Sequence, residues 1–301
     1  MRYYFAPMEG LTDSVYRRLH HKYFGGVDRY YMPFISPTVH RELTAREARE
    51  VPFADTENFT AVPQIMTKVS ADFLWAAGQC ADRGYDEVNL NLGCPSGTVV
   101  AKGKGAGMLR DIETLDRFLE EIFAAAPLPV SVKTRLGLND PEEFPPILDI
   151  LNRYPIRELT VHPRLRKQFY SGAVSTELFD YALRRSKNPL CYNGDIVSKQ
   201  QADCCPTGSV MIGRGLIADP GMLIGGTQKE SLAAFMKELE EEYTVLFGGV
   251  RNAMFRLKEH WGMLLPRFEN SEKLGKRLRK TTDLSEYHAI TSEIFETLPL
   301  K

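Results

Sequence analysis

The sequence predicts an α/β fold, a (β/α)8 TIM barrel followed by a small C-terminal all-α helical-bundle domain. Eight short runs rich in β-branched and aromatic residues recur between residues 3 and 212, and most are followed by a helix-compatible segment. This alternation over about 250 residues is typical of an eight-stranded parallel barrel. After Pro220 the strand pattern stops and amphipathic helical periodicity replaces it. We therefore expect a catalytic barrel over residues 1–224 and a helical domain over residues 225–301.

The predicted strands are short and are bounded by residues that favour turns. They cover residues 3–6, 29–32, 61–65, 87–92, 129–134, 158–161, 190–192 and 209–212. Capping residues and first-turn acids mark the helices between them, for example residues 13–23 after Thr12. In the C-terminal domain the periodicity predicts helices over residues 232–247, 251–265, 272–279 and 284–298.

Composition excludes several classes of protein. The chain has 301 residues, 43% of them hydrophobic and 26% charged, as expected of a soluble globular protein, and its net charge is −1. No apolar run is long enough to cross a bilayer, and the N-terminus lacks a signal-peptide core. The five cysteines include no Cys-x-x-Cys pair, which argues against a disulfide framework or a zinc site. We expect a cytoplasmic protein with no membrane contact and no metal site.

The segment from Asn89 to Pro95 is the most informative stretch of the chain. Alternating apolar residues and asparagines predict a strand that brings Asn91 and Cys94 to its C-terminal end. Gly93 permits a sharp bend and Pro95 fixes the next φ angle, so the Cys94 thiol is held in one direction. The alternative is an ordinary buried cysteine at a strand end, and this segment alone favours neither.

Polar residues gather after almost every predicted strand. Because the C-terminal strand ends form the active-site face of a TIM barrel, these residues are the candidate site. The candidate segments at these strand ends contain Pro7-Met8, Gln64 on the third strand, Asn91 with Cys94, Lys133 with Arg135, His162 with Arg164, Asn193-Gly194-Asp195 and Gly213-Arg214. A lone lysine or histidine at a strand end is usually structural, but a full set on one face is not explained in that way.

The last two strand ends indicate a phosphate site. Gly194, Gly213 and Gly215 expose backbone N–H groups, and Arg214 adds a cation beside them. The loops after strands seven and eight are the usual phosphate site of this fold, although glycines also make ordinary tight turns. A single phosphate there, with Lys133 and Gln64 deeper in the mouth, suits FMN, and no G-x-G-x-x-G follows an early strand.

Six motifs together resemble those of the tRNA-dihydrouridine synthases, in the family's order. They are Ala6-Pro7-Met8-Glu9-Gly10, Asn91-Leu92-Gly93-Cys94-Pro95, Lys133-Thr134-Arg135, His162-Pro163-Arg164, Asn193-Gly194-Asp195-Ile196 and Met211-Ile212-Gly213-Arg214-Gly215. Each motif alone is weak, whereas the ordered set is specific. The chain departs from the family where many members carry a lysine shortly after Gly-Cys-Pro, since Ser96-Gly97-Thr98 stands there and Lys102 and Lys104 follow.

The resemblance implies an FMN enzyme that reduces the C5–C6 double bond of a uridine in tRNA, with NADPH as electron source. Hydride passes from flavin N5 to C6, and Cys94 gives the proton to C5 as a general acid. Lys133 stabilises the reduced flavin, and Arg164 is the candidate for the substrate side. The residues implied in flavin binding are Pro7, Met8, Gln64, Asn91, Lys133, His162, Asn193, Gly194, Asp195, Gly213 and Arg214, with Asn91 also contacting uracil.

A basic run in the predicted C-terminal domain is the candidate tRNA contact. Residues 273–280 contain Lys276, Arg277 and Arg279 with no acid between them. A solvated helix face is the usual meaning of such a run, and the resemblance makes a phosphate-contacting patch slightly more favourable. No protein partner is indicated, so we expect a monomer.

Two other functions compete with this interpretation. A dihydroorotate-dehydrogenase-like FMN barrel acting on a small pyrimidine would explain the flavin site, but not the helical domain or the motif set. The second alternative is an RNA-binding protein that has kept the barrel and lost catalysis. The presence of Cys94, Lys133 and the phosphate loops argues against that second alternative.

Overall fold

The computed structural model describes residues 1–301 and contains nine β-strands. The strands are β1 Arg2–Phe5, β2 Arg29–Tyr31, β3 Ala61–Val62, β4 Gln64–Ile65, β5 Val88–Leu92, β6 Val130–Arg135, β7 Leu159–His162, β8 Leu190–Tyr192 and β9 Ser209–Ile212. The α-helices up to residue 203 are α1 Ser14–Tyr23, α2 Ala45–Glu50, α3 Ser70–Ala81, α4 Gly97–Ala101, α5 Ile112–Ala125, α6 Phe144–Leu151, α7 Thr176–Arg185 and α8 Lys199–Asp203. The remaining helices are α9 Arg214–Ala218, α10 Lys229–Leu246, α11 Val250–Leu264, α12 Glu272–Lys280 and α13 Leu284–Thr297.

The nine strands occupy eight positions of a parallel barrel. Their order is β3-β2-β1-β9-β8-β7-β6-β5-β4, so β3 and β4 lie at its two ends. Only Pro63 separates these two strands in the chain, and its carbonyl accepts a hydrogen bond from the Asn89 amide at 2.8 Å. Because proline has no N–H to donate, the strand pairs with β2 before Pro63 and with β5 after it. The predicted (β/α)8 fold class is therefore confirmed.

The barrel strands are buried on both faces, which is why most read as near-continuous apolar runs. Every residue of β5, β7 and β9 is buried. Tyr4, Tyr31 and Cys191 belong to one buried cluster, and a larger cluster joins the strands to the surrounding helices. This packing fixes the strand ends, so the side chains that follow them start from a rigid frame.

The chain divides into two compact units. The first contains residues 1–7, 28–195 and 203–211, and the second contains residues 8–27, 196–202 and 212–301. Within the second unit α1 packs on α10, and the Tyr16 ring meets Phe235 edge-on at 5.4 Å and stacks on His260 at 4.9 Å. The predicted boundary at residue 225 stays a prediction.

The second unit also shows what the sequence missed at α1. The N-cap of α1 is Asp13, whose side chain accepts a hydrogen bond from the Tyr16 amide at 2.9 Å, so the expected Thr12 cap was wrong.

His20 and His260 are fully buried and bonded to backbone carbonyl oxygens, and burial lowers the pKa of both, that of His20 to about 3. These histidines are structural. No helix of the chain has the length and apolarity needed to cross a membrane.

Candidate active site

The parallel register brings the predicted side chains to one end of neighbouring strands. Asn91 on β5 lies opposite Lys133 on β6, and Arg135 on β6 lies opposite His162 on β7. Gln64 starts β4, next to β5, and Asn193 directly follows β8. The structure therefore brings Gln64, Asn91, Lys133, His162 and Asn193 to adjacent positions of the barrel.

A chain of buried amides runs along this edge of the barrel. The Gln64 Nε2 donates to Asn89 Oδ1 at 2.7 Å, and the Asn89 Nδ2 donates to Ser131 Oγ at 2.8 Å. The Asn91 Nδ2 in turn donates to Gln64 Oε1 at 2.7 Å. All four side chains are at most 7% exposed, so these contacts are not open to exchange with water.

The amide chain ends on the backbone that carries the candidate acid. Asn91 Oδ1 accepts from the Gly93 amide at 3.0 Å and from the Cys94 amide at 2.9 Å. Because a backbone N–H can only donate, Asn91 must turn its oxygen toward the turn and its nitrogen toward Gln64. The orientation of the Asn91 amide fixes that of the Gln64 amide, which in turn fixes that of the Asn89 amide. The Ser131 hydroxyl accepts the last hydrogen bond of the chain. One set of amide orientations is thus imposed by the Cys94 turn.

The Cys94 turn is also held from its other side. The Arg135 Nε donates to the Gly93 carbonyl at 2.9 Å, and the Ala106 amide donates to the Cys94 carbonyl at 3.1 Å. A Cβ atom added at Gly105, where φ is +55°, would lie 2.9 Å from the Cys94 Cβ. Residue 105 must therefore be glycine for the chain to pass this close to Cys94. The Cys94 thiol is free of disulfides and half-buried.

Lys133 provides a positive charge in a desolvated position. Its Nζ donates to Asn193 Oδ1 at 2.7 Å, and the Asn193 Nδ2 donates to the Met211 carbonyl at 2.7 Å. Burial, together with the neighbouring Arg135 guanidinium, lowers the pKa of Lys133 to about 7. Its hydrogen-bond partner is a neutral amide, so the site favours an additional anionic group beside this lysine.

His162, Arg164 and Asp195 form a connected group. The Arg164 NH1 lies 3.2 Å from His162 Nε2 and donates to Asp195 Oδ1 at 3.0 Å, while Nε donates to the Gly172 carbonyl at 3.2 Å. Arg164 is 1% exposed, so in this structure its guanidinium holds two loops together. Its predicted contact with the substrate stays a prediction.

Asp195 and Gly194 give the loop after β8 its shape. Asp195 has a φ of +43°, a region in which Asn and Asp are the commonest non-glycine residues. A Cβ atom at Gly194 would lie 2.9 Å from both Tyr192 Oη and Val174 Cγ1, so only glycine fits there without displacement. At Gly194 the backbone of the loop therefore packs directly against Tyr192 and Val174, with no side chain between them.

The remaining predicted flavin contacts divide between the two units. Pro7 is half-buried in the first unit, while Met8, Gly213 and Arg214 belong to the second. Gly213 and the exposed Arg214 directly follow β9. Within the second unit, a Cβ atom at Gly215 would lie 2.1 Å from the Ile196 carbonyl oxygen, so the Gly213-Arg214-Gly215 turn requires glycine at its third position.

The predicted tRNA contacts lie on α12 in the second unit. Lys276, Arg277 and Arg279 are all exposed, and the buried face of α12 consists of Leu274, Gly275 and Leu278. Arg277 lies 3.6 Å from each of two carboxylates on α13, those of Glu286 and Glu293. The cationic face is thus solvent-facing and only partly neutralised.

The described residues fit a flavin mononucleotide by their chemistry. Within the first unit, Gln64 and Asn91 present fixed amides, Lys133 presents a desolvated cation, and the Gly194 turn follows β8. An anionic ring edge, amide-bonding ring atoms and a phosphate match these groups in kind. Sequence reasoning missed Asn89 and Ser131, although the alternation of asparagines on β5 could have indicated an inward polar row.

Comparison with known proteins gives one consistent family. The model of the dihydrouridine synthase (Dus) family matches residues 4–296. A probable tRNA-dihydrouridine synthase 1 of Synechocystis sp. is 30% identical over 226 residues, and the match covers 73% of this chain and 62% of that protein. The chain thus spans less than two thirds of that relative's length. A probable tRNA-dihydrouridine synthase of Rhizobium leguminosarum is 28% identical, covering 90% of this chain and 88% of that protein.

Solved structures give the same fold at low sequence identity. An old yellow enzyme homologue from Zymomonas mobilis has a TM-score of 0.55 and 11% identity, covering 73% of this chain and 86% of that chain. A morphinone reductase variant in complex with tetrahydroNAD has a TM-score of 0.53 and 12% identity, covering 73% and 85% of the two chains. At these identities the similarity concerns the fold.

Proposed function

The chain belongs to the dihydrouridine synthase family, and on that premise we propose that it is an FMN-dependent tRNA-dihydrouridine synthase. It reduces the C5–C6 double bond of a uridine in tRNA, and NADPH supplies the electrons. The observation that carries the proposal is the Cys94 turn, which Asn91 and Arg135 hold beside the desolvated Lys133. A half-buried thiol fixed in this way is suited to donate a proton to a bound base.

The bound flavin would supply the hydride, from its N5 atom to C6 of the uracil. Cys94 donates the proton that C5 then requires, so one hydride and one proton add across the double bond. The thiol acts as a general acid in this step, and a proton from solvent restores it. Asn91 keeps the turn in place through its bonds to the Gly93 and Cys94 amides, so the position of the acid does not depend on the substrate.

Other residues of the site bind and orient the cofactor. Gln64, Asn91 and Lys133 would contact the ring system, Pro7 and Met8 would pack along it, and His162 would lie near the ring or the phosphate. The loops after β8 and β9 would hold the ribityl chain and phosphate, through Asn193, Gly194, Asp195, Gly213 and Arg214. Lys133 would stay cationic beside an anionic ring edge, because that edge would raise the lysine's pKa above about 7, and the lysine would in turn stabilise the reduced cofactor.

The target base must leave its stack to reach Cys94, at a cost of a few kcal/mol that is smallest for loop bases. Affinity for tRNA then comes largely from phosphate contacts, to which Lys276, Arg277 and Arg279 contribute. Residues 225–301 are the proposed tRNA-binding domain. Arg164 supports the substrate side through its bonds to Asp195 and Gly172. We place the enzyme in the cytoplasm, where its tRNA substrate is found, and expect it to be a monomer.

The test is a nucleoside analysis of tRNA after reaction. Purified protein is incubated with NADPH and with tRNA from a strain that lacks dihydrouridine, and the digested nucleosides are analysed by mass spectrometry. The proposal predicts a new nucleoside two hydrogens heavier than uridine at one position. If free uracil or orotate is reduced and tRNA is not, the protein acts on small pyrimidines and the proposal is wrong.

A further inference from the structure

Two exposed aromatic side chains lie in the loop after β7. Phe169 is 43% exposed and Tyr170 is 52% exposed. The guanidinium carbon of Arg166 lies 5.1 Å from the centre of the Phe169 ring, and that of Arg135 lies 5.3 Å from the centre of the Tyr170 ring. At these distances a guanidinium is attracted to the ring face and fixes the position of the ring.

The same two arginines hold the segment that contains Cys94. The Arg166 Nε donates to the Pro95 carbonyl at 3.1 Å, and the Arg135 Nε donates to the Gly93 carbonyl at 2.9 Å. Each of these arginines therefore binds a backbone carbonyl next to Cys94 and also contacts an aromatic ring. Phe169 is thereby placed close to the Cys94 segment through a single intervening side chain.

The backbone of Phe169 is strained. Its φ is +50° and its ψ is −101°, a combination that glycine adopts readily and a bulky L-residue rarely does. The surrounding turn enforces it, because the Gln168 side chain accepts from the Leu165 amide at 2.7 Å and the Ser171 amide donates to the Gln168 carbonyl at 2.8 Å. Folding alone does not explain a phenylalanine here, since glycine would relieve the strain and 43% of the residue is exposed to solvent.

The two rings differ in their contacts, although Tyr170 is slightly the more exposed residue. The Tyr170 ring stacks on His162 at 6.3 Å with an interplanar angle of 28° and also contacts Arg135. The Phe169 ring contacts the Arg166 guanidinium, and 43% of the residue is exposed to solvent. An exposed aromatic face beside an arginine matches the chemistry that binds unpaired nucleobases.

We propose that Phe169 is a base-stacking residue, which contacts the unpaired nucleobase next to the target uridine in the RNA substrate. The inference rests on the proposed function, because it requires an RNA whose target base has left its stack. When that base turns out, its neighbour loses a stacking partner, and the Phe169 ring replaces it. Arg166 fixes the ring and adds positive charge near the adjacent phosphates. The contact is sequence-tolerant, since every base has a π face.

Three substitutions at one position separate stacking from folding. Phe169→Leu keeps an apolar side chain without the aromatic ring, Phe169→Trp keeps a ring, and Phe169→Gly removes both side chain and strain. The matched control is Phe53→Leu, because Phe53 is 58% exposed and lies 5.8 Å from the Arg83 guanidinium, but precedes β3 at the amino end of the barrel. Turnover of tRNA is measured at matched flavin content, together with the melting temperature.

We expect kcat/KM for tRNA to fall about 10- to 100-fold in Phe169→Leu and Phe169→Gly, as for the loss of one base–aromatic stack. Phe169→Trp retains wild-type kcat/KM, Phe53→Leu is unchanged, and Phe169→Gly melts no lower than wild type. Wild-type turnover in Phe169→Leu would overturn the inference and leave the proposed function intact. An activity loss that Trp does not rescue, with a lower melting temperature in Phe169→Gly, would assign Phe169 a folding role instead. A wild-type protein that does not reduce tRNA would overturn the proposed function and this inference with it.

Discussion

Replacing Asn91 with alanine tests whether the amide chain positions Cys94. The substitution removes three hydrogen bonds, those to the Gly93 amide, the Cys94 amide and Gln64 Oε1. The Gln64 side chain is fully buried, so its oxygen is left without a partner, while the two amides belong to partly exposed residues. An unpaired buried polar group costs about 1–3 kcal/mol, and partial exposure places the two amides at the lower end. We therefore expect Asn91→Ala to lose about 3–5 kcal/mol of unfolding free energy.

The assay is urea-induced unfolding at matched flavin content, combined with the rate of uridine reduction. A displacement of about 1 Å at a catalytic group costs about 100-fold in rate, so Asn91→Ala should reduce tRNA much more slowly. Asn91→Asp is the companion variant, because it keeps an oxygen for the two amides and alters only the contact with Gln64. It should lose less stability than Asn91→Ala. Unfolding free energies within about 0.5 kcal/mol of wild type for Asn91→Ala would refute the reasoning, since that is the range of a neutral surface change.

The remaining predictions address the acid, the lysine, the phosphate and the RNA. Cys94→Ala should retain flavin and still oxidise NADPH with oxygen, while uridine reduction falls about 100- to 10,000-fold, as single-turnover assays would show. In flavin-free protein the pKa of Lys133 is lowered, so between about pH 7 and 10.5 the unfolded chain binds more protons than the folded protein does. The free energy of unfolding should therefore rise with pH by up to about 1.4 kcal/mol per pH unit. Lys133→Met should lack this rise when urea unfolding is measured at pH 7, 8 and 9. Arg214→Ala should lose FMN on gel filtration, and full occupancy would place the phosphate elsewhere. Changing Lys276, Arg277 and Arg279 to glutamine should weaken tRNA binding and lower the slope of log affinity against log salt by about 2–3, whereas an unchanged slope would exclude this face.

The barrel was predictable because its signal lies in short, regularly spaced apolar strands. The strands at Leu190–Tyr192 and Ser209–Ile212 begin and end where the sequence predicts them. The interruption at Pro63 was not predicted, because the run from Ala61 to Ile65 reads as one strand and only its two neighbours show that it changes partner. The short helix Ala45–Glu50 was also missed, although Thr44 and Glu47 form a capping box that is visible in the sequence.

The sequence indicated which residues form the candidate site, but not which hydrogen bonds join them. The motif series included Asn91, Lys133 and Asn193, and the structure adds that Asn91 bonds to Gln64 and that Lys133 bonds to Asn193. The amide chain through Asn89 and Ser131 depends on pairing between strands, so it has no local signal. The strain at Phe169 has none either, because a left-handed backbone at a phenylalanine is imposed by the bonds around it.

The most direct measurement follows the flavin under anaerobic conditions. The protein is reduced with NADPH and mixed with tRNA that lacks dihydrouridine, and the return of the oxidised flavin absorbance is recorded, with uracil as the control acceptor. The account predicts rapid reoxidation by tRNA in the wild type, none by uracil, and strongly slowed reoxidation by tRNA in Cys94→Ala. A flavin that stays reduced with tRNA, or that uracil reoxidises as fast, would contradict it.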